Sequence, residues 1–159
     1  MALLYYIFSS RLIVKMKCII EMETTLTLPE YLMQDLNTLV INTMPNECCA
    51  LLLGGRIEKH CTDVRVLDLV PMKNSDESET TFSIDPQELI SEYQNAEQRN
   101  LQVVGIFHSH PGLPSPSLTD KKFMEINPVV WLIHSTITHQ TRAYIYDEKI
   151  EEVWLRVKD

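Results

Sequence analysis

No two of the four cysteines, Cys18, Cys48, Cys49 and Cys61, stand in the C-x-x-C spacing of a zinc knuckle or a redox motif. They read as buried, reduced thiols, with Cys48 and Cys49 adjacent in an apolar run. A basic patch is missing as well, since 14 Lys and Arg are scattered among 22 Asp and Glu for a net charge of −8. That balance argues against nucleic acid as a partner. No apolar run approaches the roughly 20 residues of a membrane span. The most apolar stretch, residues 1–21, is broken by Arg11, Lys15 and Lys17, and it lacks the basic segment that opens a secretory signal. We expect residues 1–21 to be an extension, an accessory strand or a poorly ordered segment, with Met16 and Met22 as alternative starts. A single cytoplasmic domain over 22–159 is the corresponding expectation.

What is present fits one core: 159 residues, 45% of them apolar, without a repeat or a low-complexity tract. "METTLTL" reads as a strand, and "PEYLMQDLNTLVINTM" sets Leu32, Leu36, Leu39, Val40 and Thr43 at helical spacing behind Pro29. "ECCALLLGG" and "DVRVLDLVPM" read as further strands, and "NSDESET" as a solvated loop rather than a docking surface. Asp85 and Pro86 start a second helix, "LQVVGIF" is a strand, residues 117–127 are helical, and "VVWLIHS", "TRAYIY" and "EEVWLRV" are three more strands. The mixture lacks a strict βαβ rhythm. It predicts an α/β sandwich, a mixed sheet flanked by helices.

The chemistry concentrates in "GIFHSHPGLPSPSLTD", residues 105–120. Side chains alternate along a strand, so His108 and His110 point the same way and can share a metal. Asp120 can supply a third ligand across a loop that its prolines restrict. Two imidazoles and a carboxylate leave zinc one open position, which is a catalytic type of site. Taken alone, H-x-H is a weak signal, and S-x-x-D from Ser117 to Asp120 is also an ordinary helix start. The two readings are compatible, because a helix beginning at Ser117 would hold Asp120 rigidly in its first turn. His60, His134 and His139 have no spaced partner and read as non-ligands. Glu47, at the mouth of an apolar strand, is either an exposed carboxylate or one that faces a metal site.

"PNECCALLLGG", then "GIFHSHP", "PSLTD" and "VVWLI", together resemble the JAMM (MPN+) metalloprotease family over roughly residues 24–157. The resemblance implies the cytidine-deaminase-like sandwich of the MPN/JAB1 domain. It implies one zinc (Zn2+) per chain held by His108, His110 and Asp120, with Glu47 as general base and Ser117 as a hydrogen-bond donor to the oxyanion. One departure stands out: six residues, "PGLPSP", separate His110 from Ser117 where the family usually has seven, which makes Ser115 a weaker alternative to Ser117. The implied activity is hydrolysis of isopeptide bonds at the C-terminus of ubiquitin-like (β-grasp) modifiers, in a compact stand-alone enzyme of prokaryotic, archaeal type. Release of an amino acid from a small sulfur carrier, a catalytically silent scaffold and a DNA-repair relative are the alternatives. Neither the modifier's identity nor a homodimer is decided by these residues.

Overall fold

In the computed structural model, which describes residues 24–55 and 63–159, the run CALLLG forms a strand buried at every position, β2 (Cys49–Gly54). It is central because it has a neighbour on each edge and cover on each face. β3 (Asp63–Met72) and β4 (Gln102–His110) both pair with it antiparallel. β4 in turn pairs parallel with β5 (Val130–Ser135), and β6 (Thr141–Asp147) and β7 (Lys149–Lys158) follow antiparallel. β1 (Thr25–Pro29) pairs parallel with β3 on one side and with β7 on the other.

Those last two pairings overturn the expected sandwich. The sheet has no free edge: it closes as a seven-stranded mixed barrel, β1-β3-β2-β4-β5-β6-β7, with three helices among the described residues. Each strand was legible locally, but closure depends on Thr25–Pro29 meeting Trp154–Lys158 from the other end of the chain. Residues 1–21, His60, Cys18 and Cys61 lie outside the described residues, so the expectations placed on them do too. No described helix is long and apolar enough to cross a membrane.

The helices cover opposite faces of the strands. α1 (Glu30–Thr43) places Leu32, Leu36 and Val40 among Leu26, Leu28, Ala50, Leu52 and Leu132. α2 (Pro86–Gln98) and α3 (Leu118–Ile126) place Leu89, Ala96 and Met124 among Leu51, Leu53, Ile106 and Trp131. Each fully buried side chain of this size contributes about 1.5–3 kcal/mol. Asp85 caps α2 by accepting from the backbone N–H groups of Gln87 and Glu88, with Pro86 in the first turn where no N–H is needed.

β4 contains a bulge. Leu52 pairs with Gly105 but Leu53 pairs with Val103, so Val104 is an extra residue. Val103 and Ile106 consequently face α2 and α3, while Val104 and Phe107 face the α1 side. The bulge needs Gly105, because a Cβ there would lie 2.8 Å from the Val130 carbonyl oxygen and 3.1 Å from Leu52 Cδ1. Gly105→Ala is therefore expected to force β4 away from β5 and cost about 1–3 kcal/mol, read as a lower denaturant midpoint.

Candidate metal centre

From the bulge onward β4 keeps one parity, so Ile106, His108 and His110 share the face covered by α2 and α3. His108 is fully buried, and its backbone sits between Cys49 of β2 and Ile133 of β5. Two bonds to the His110 carbonyl, from Thr136 N–H (2.9 Å) and Thr136 Oγ1 (3.1 Å), fix the strand end. The Pro-rich loop that follows is anchored where the Tyr144 hydroxyl donates to the Pro114 carbonyl, at 2.7 Å.

The loop delivers Ser117 as the N-cap of α3. Ser117 N–H donates to Asp120 Oδ2 (2.7 Å) and Asp120 N–H donates to Ser117 Oγ (3.1 Å), a reciprocal capping box. The carboxylate so held meets both histidines, with Oδ1 3.4 Å from His108 Nε2 and Oδ2 3.2 Å from His110 Nε2. The two Nε2 atoms are 3.0 Å apart. The helix start at Ser117 and the approach of Asp120 to both histidines are thus one structure, reached across the six-residue loop. Ser115 sits exposed in the loop, its N–H donating to the Leu113 carbonyl.

These three side chains suit a metal ion. Bonds of about 2.0–2.1 Å from zinc to nitrogen or oxygen set tetrahedral ligand atoms roughly 3.3 Å apart, which brackets the separations seen. Among the described residues this is the group of three His, Cys, Asp or Glu side chains with ligand atoms within 4.8 Å of one another. Facing Nε2 atoms at 3.0 Å otherwise oppose two lone pairs or need a shared proton, and a cation resolves that conflict. At His110, Nδ1 lies 3.4 Å from the Leu113 carbonyl, which favours the tautomer that frees Nε2.

Glu47 lies where the β2–β4 pairing, continued past Cys49 and His108, brings it opposite His110; Ser109 N–H donates to the Cys48 carbonyl along that continuation. It is buried rather than an exposed strand-end carboxylate, being 3% exposed. Burial pushes its carboxyl up to about 7, with His110 opposing the rise and Asp120 and Asp76 adding to it. Burial also lowers His108. At His110 burial works against the charge, but the Asp120 carboxylate outweighs it and raises the imidazole. Asp120 itself is opposed by burial yet held well below the usual carboxylate range by the two imidazoles and Ser117.

Two residues escaped the reading of the sequence. Asn74, the first buried residue of the "NSDESET" segment, uses its whole amide: Nδ2 donates to the carbonyls of Glu47 and Thr81 (both 2.9 Å), and Oδ1 accepts from Asp76 N–H (3.0 Å) and Ser83 N–H (3.2 Å). Its available signal was an Asn poised to bond the backbone two residues on. Phe82 stacks on the His108 ring, with centroids 4.6 Å apart. Nothing in the sequence pointed to Phe82. His134 pairs with Thr141 Oγ1 away from the centre, and His139 lies beside it, so neither joins the ligand set. Cys48 and Cys49 are buried free thiols, and burial pushes Cys49 up to about 12, which suits packing rather than nucleophilic chemistry.

A family model described as prokaryotic homologs of the JAB domain matches residues 29–146. The chain belongs to the prokaryotic JAB family. This JAB chain is 35% identical over 138 residues to a desampylase of Pyrococcus furiosus, covering 85% of this chain and 92% of that protein. A protein of Desulfitobacterium hafniense with a solution structure matches at a TM-score of 0.72 and 28% identity, over 84% of this chain and 93% of that one. A Salinibacter ruber protein matches at 0.63 and 22%, over 84% and 92%, and shares the fold.

The placement of Glu47 in this JAB chain has an energetic cost. Its folded pKa of about 7 lies above the ordinary 4.5, so ionising it removes folding free energy as pH climbs between those values. Glu47→Gln in chelator-treated, metal-free protein should be nearly neutral at pH 4.5 and stabilising by of the order of 2 kcal/mol at pH 8. Thermal melts of both proteins at the two pH values measure it, and an equal gap at both would contradict the burial cost.

Proposed function

We propose that this chain is a zinc-dependent isopeptidase of the cytoplasm that hydrolyses amide bonds at the C-terminus of ubiquitin-like, β-grasp modifier proteins. The observation that carries the reading is the convergence of His108, His110 and Asp120, with the buried Glu47 carboxyl on the same face. The desampylase relative, named for removing a modifier, supports the substrate class.

His108 Nε2, His110 Nε2 and one Asp120 oxygen would hold the ion. Zinc, when bound, polarises a carbonyl and acidifies water. Glu47, a carboxyl poised near neutrality, accepts the proton of the attacking water on a carboxylate oxygen and hands it to the leaving lysine amine. Ser117 Oγ accepts from Asp120 N–H, so its own hydroxyl proton is free to donate to the oxyanion, a contribution of the order of 3 kcal/mol. The Asp120 carboxylate is oriented by Ser117 N–H and keeps both imidazoles turned to one point. No acyl-enzyme is needed. The scaffold alternative calls for damaged ligands, and the side chains of Glu47, His108, His110 and Asp120 count against it.

Elemental analysis of the purified protein should find about one zinc per chain, lost in His108→Ala/His110→Ala. Glu47→Gln should keep the metal while its hydrolysis of an isopeptide-linked modifier conjugate drops by about 10²–10⁴-fold. Full activity in Glu47→Gln would remove the base role, and a wild type that takes up no zinc even on reconstitution would remove the whole reading.

A further inference from the structure

His108 carries the one buried side-chain polar atom, among the described residues, that lacks a hydrogen-bond partner: its Nδ1. A metal-ligating histidine ordinarily donates that N–H to a carboxylate, a carbonyl or water, and the bond sets the ring's rotation. His110 has such a neighbour in the Leu113 carbonyl; His108 does not. What lies against the His108 ring is aromatic. Phe82 stacks on its face at 4.6 Å and 30°, and Trp131 meets it edge-on at 5.8 Å and 82°.

We infer that Phe82 is a positioning residue for His108, replacing the missing Nδ1 hydrogen bond with a stacked ring that blocks rotation about the Cβ–Cγ bond. The inference rests on His108, His110 and Asp120 being the metal site. Because Phe82 lies stacked on the face of the imidazole, rotation about the Cβ–Cγ bond would swing an edge of the imidazole toward the Phe82 ring. The backbone that carries Phe82 is itself held, because a single amide bonds it on both sides of that residue. Asn74 Nδ2 donates to the Thr81 carbonyl, and Asn74 Oδ1 accepts from Ser83 N–H. Ser75 N–H closes the same loop by donating to the Ser83 carbonyl at 2.9 Å. Since Asn74 Nδ2 also donates to the Glu47 carbonyl, one side chain sets both the backbone under the base and the ring against the ligand. Trp131 does not substitute for Phe82: it touches His108 by its edge, and its own Nε1–H is committed to the Asn127 carbonyl at 3.2 Å.

The test is zinc affinity, by competition with a chromophoric chelator, in wild type and in Phe82→Tyr, Phe82→Leu and Phe82→Ala. Absorption spectra of the Co2+-loaded proteins report ligand geometry, and melts of the chelated proteins report folding. Phe82→Tyr should match wild type, while Phe82→Leu, which keeps apolar bulk without a ring, and Phe82→Ala should bind about 10–100-fold more weakly with altered Co2+ bands. If Phe82→Ala does not fold, Phe82→Leu against Phe82→Tyr decides. Wild-type affinity and spectrum in Phe82→Leu would overturn the stacking role while leaving the metal site intact. A wild type that binds neither ion would overturn the metal site, and this inference with it.

Discussion

A strand presents alternate side chains to opposite faces, so the direction in which His108 and His110 point is decided by how β4 is registered between β2 and β5. Val104, the extra residue opposite Leu52 and Leu53, shifts the parity of everything after it. If β4 ran through Val104 as a regular strand, the face that carries Val103 beneath α2 would continue into Gly105, Phe107 and Ser109, and the histidines would turn toward α1. With the bulge, Ile106, His108 and His110 continue beneath α2 and α3, where α3 brings Asp120. Gly105 makes the bulge compatible with the close approach of β5. The direction of the histidines therefore depends on Val104 being taken up as a bulge and on the absence of a side chain at Gly105.

Folding and ligand geometry share atoms at α3. The Asp120 carboxylate closes the capping box with Ser117 and also meets both imidazoles, so the same hydrogen bond that starts the helix aims the carboxylate at them. For the proposed metal site this is preorganisation, because a carboxylate on a rigid helix start would lose little freedom on binding an ion. Glu47 is held differently. Its N–H donates to the Ser78 carbonyl at 2.8 Å and its carbonyl accepts from Asn74, so the segment after β3 clamps the backbone and leaves the carboxyl unencumbered.

The residues proposed for the site were easier to group from the sequence than the strands were to close into a barrel. His108, His110, Ser117 and Asp120 lie within thirteen residues, and local periodicity plus a helix-start signature was enough to group them. Glu47 was ambiguous from its own segment, since a carboxylate at a strand mouth is usually solvated, and resemblance to a family tipped the balance. Barrel closure was invisible because β1 must find both β3 and β7, pairings that leave no local trace in "TLTLP" or "VWLRVK". The bulge left a trace, the lone glycine in "QVVGIF", whose meaning depends on what β5 does next to it. Asn74 and Phe82 were hidden by composition, because a polar loop reads as solvent-facing even when its first residue is buried and the aromatic just after it is stacked on His108.

Electrostatics joins these parts. Glu47 and Asp120 are both buried near one another, yet they respond oppositely: Asp120 is held ionised by two imidazoles and a backbone N–H, while Glu47, with His110 as its opposing charge, is driven up toward neutrality by burial. A divalent cation beside such a pair works against that burial cost, because a nearby positive charge favours the carboxylate. The carboxyl that burial pushes up to about 7 would then be shifted back toward its ionised, proton-accepting form. On the proposed function, metal binding and ionisation of Glu47 favour one another, which offsets the cost of a buried carboxylate at the mouth of an otherwise apolar strand.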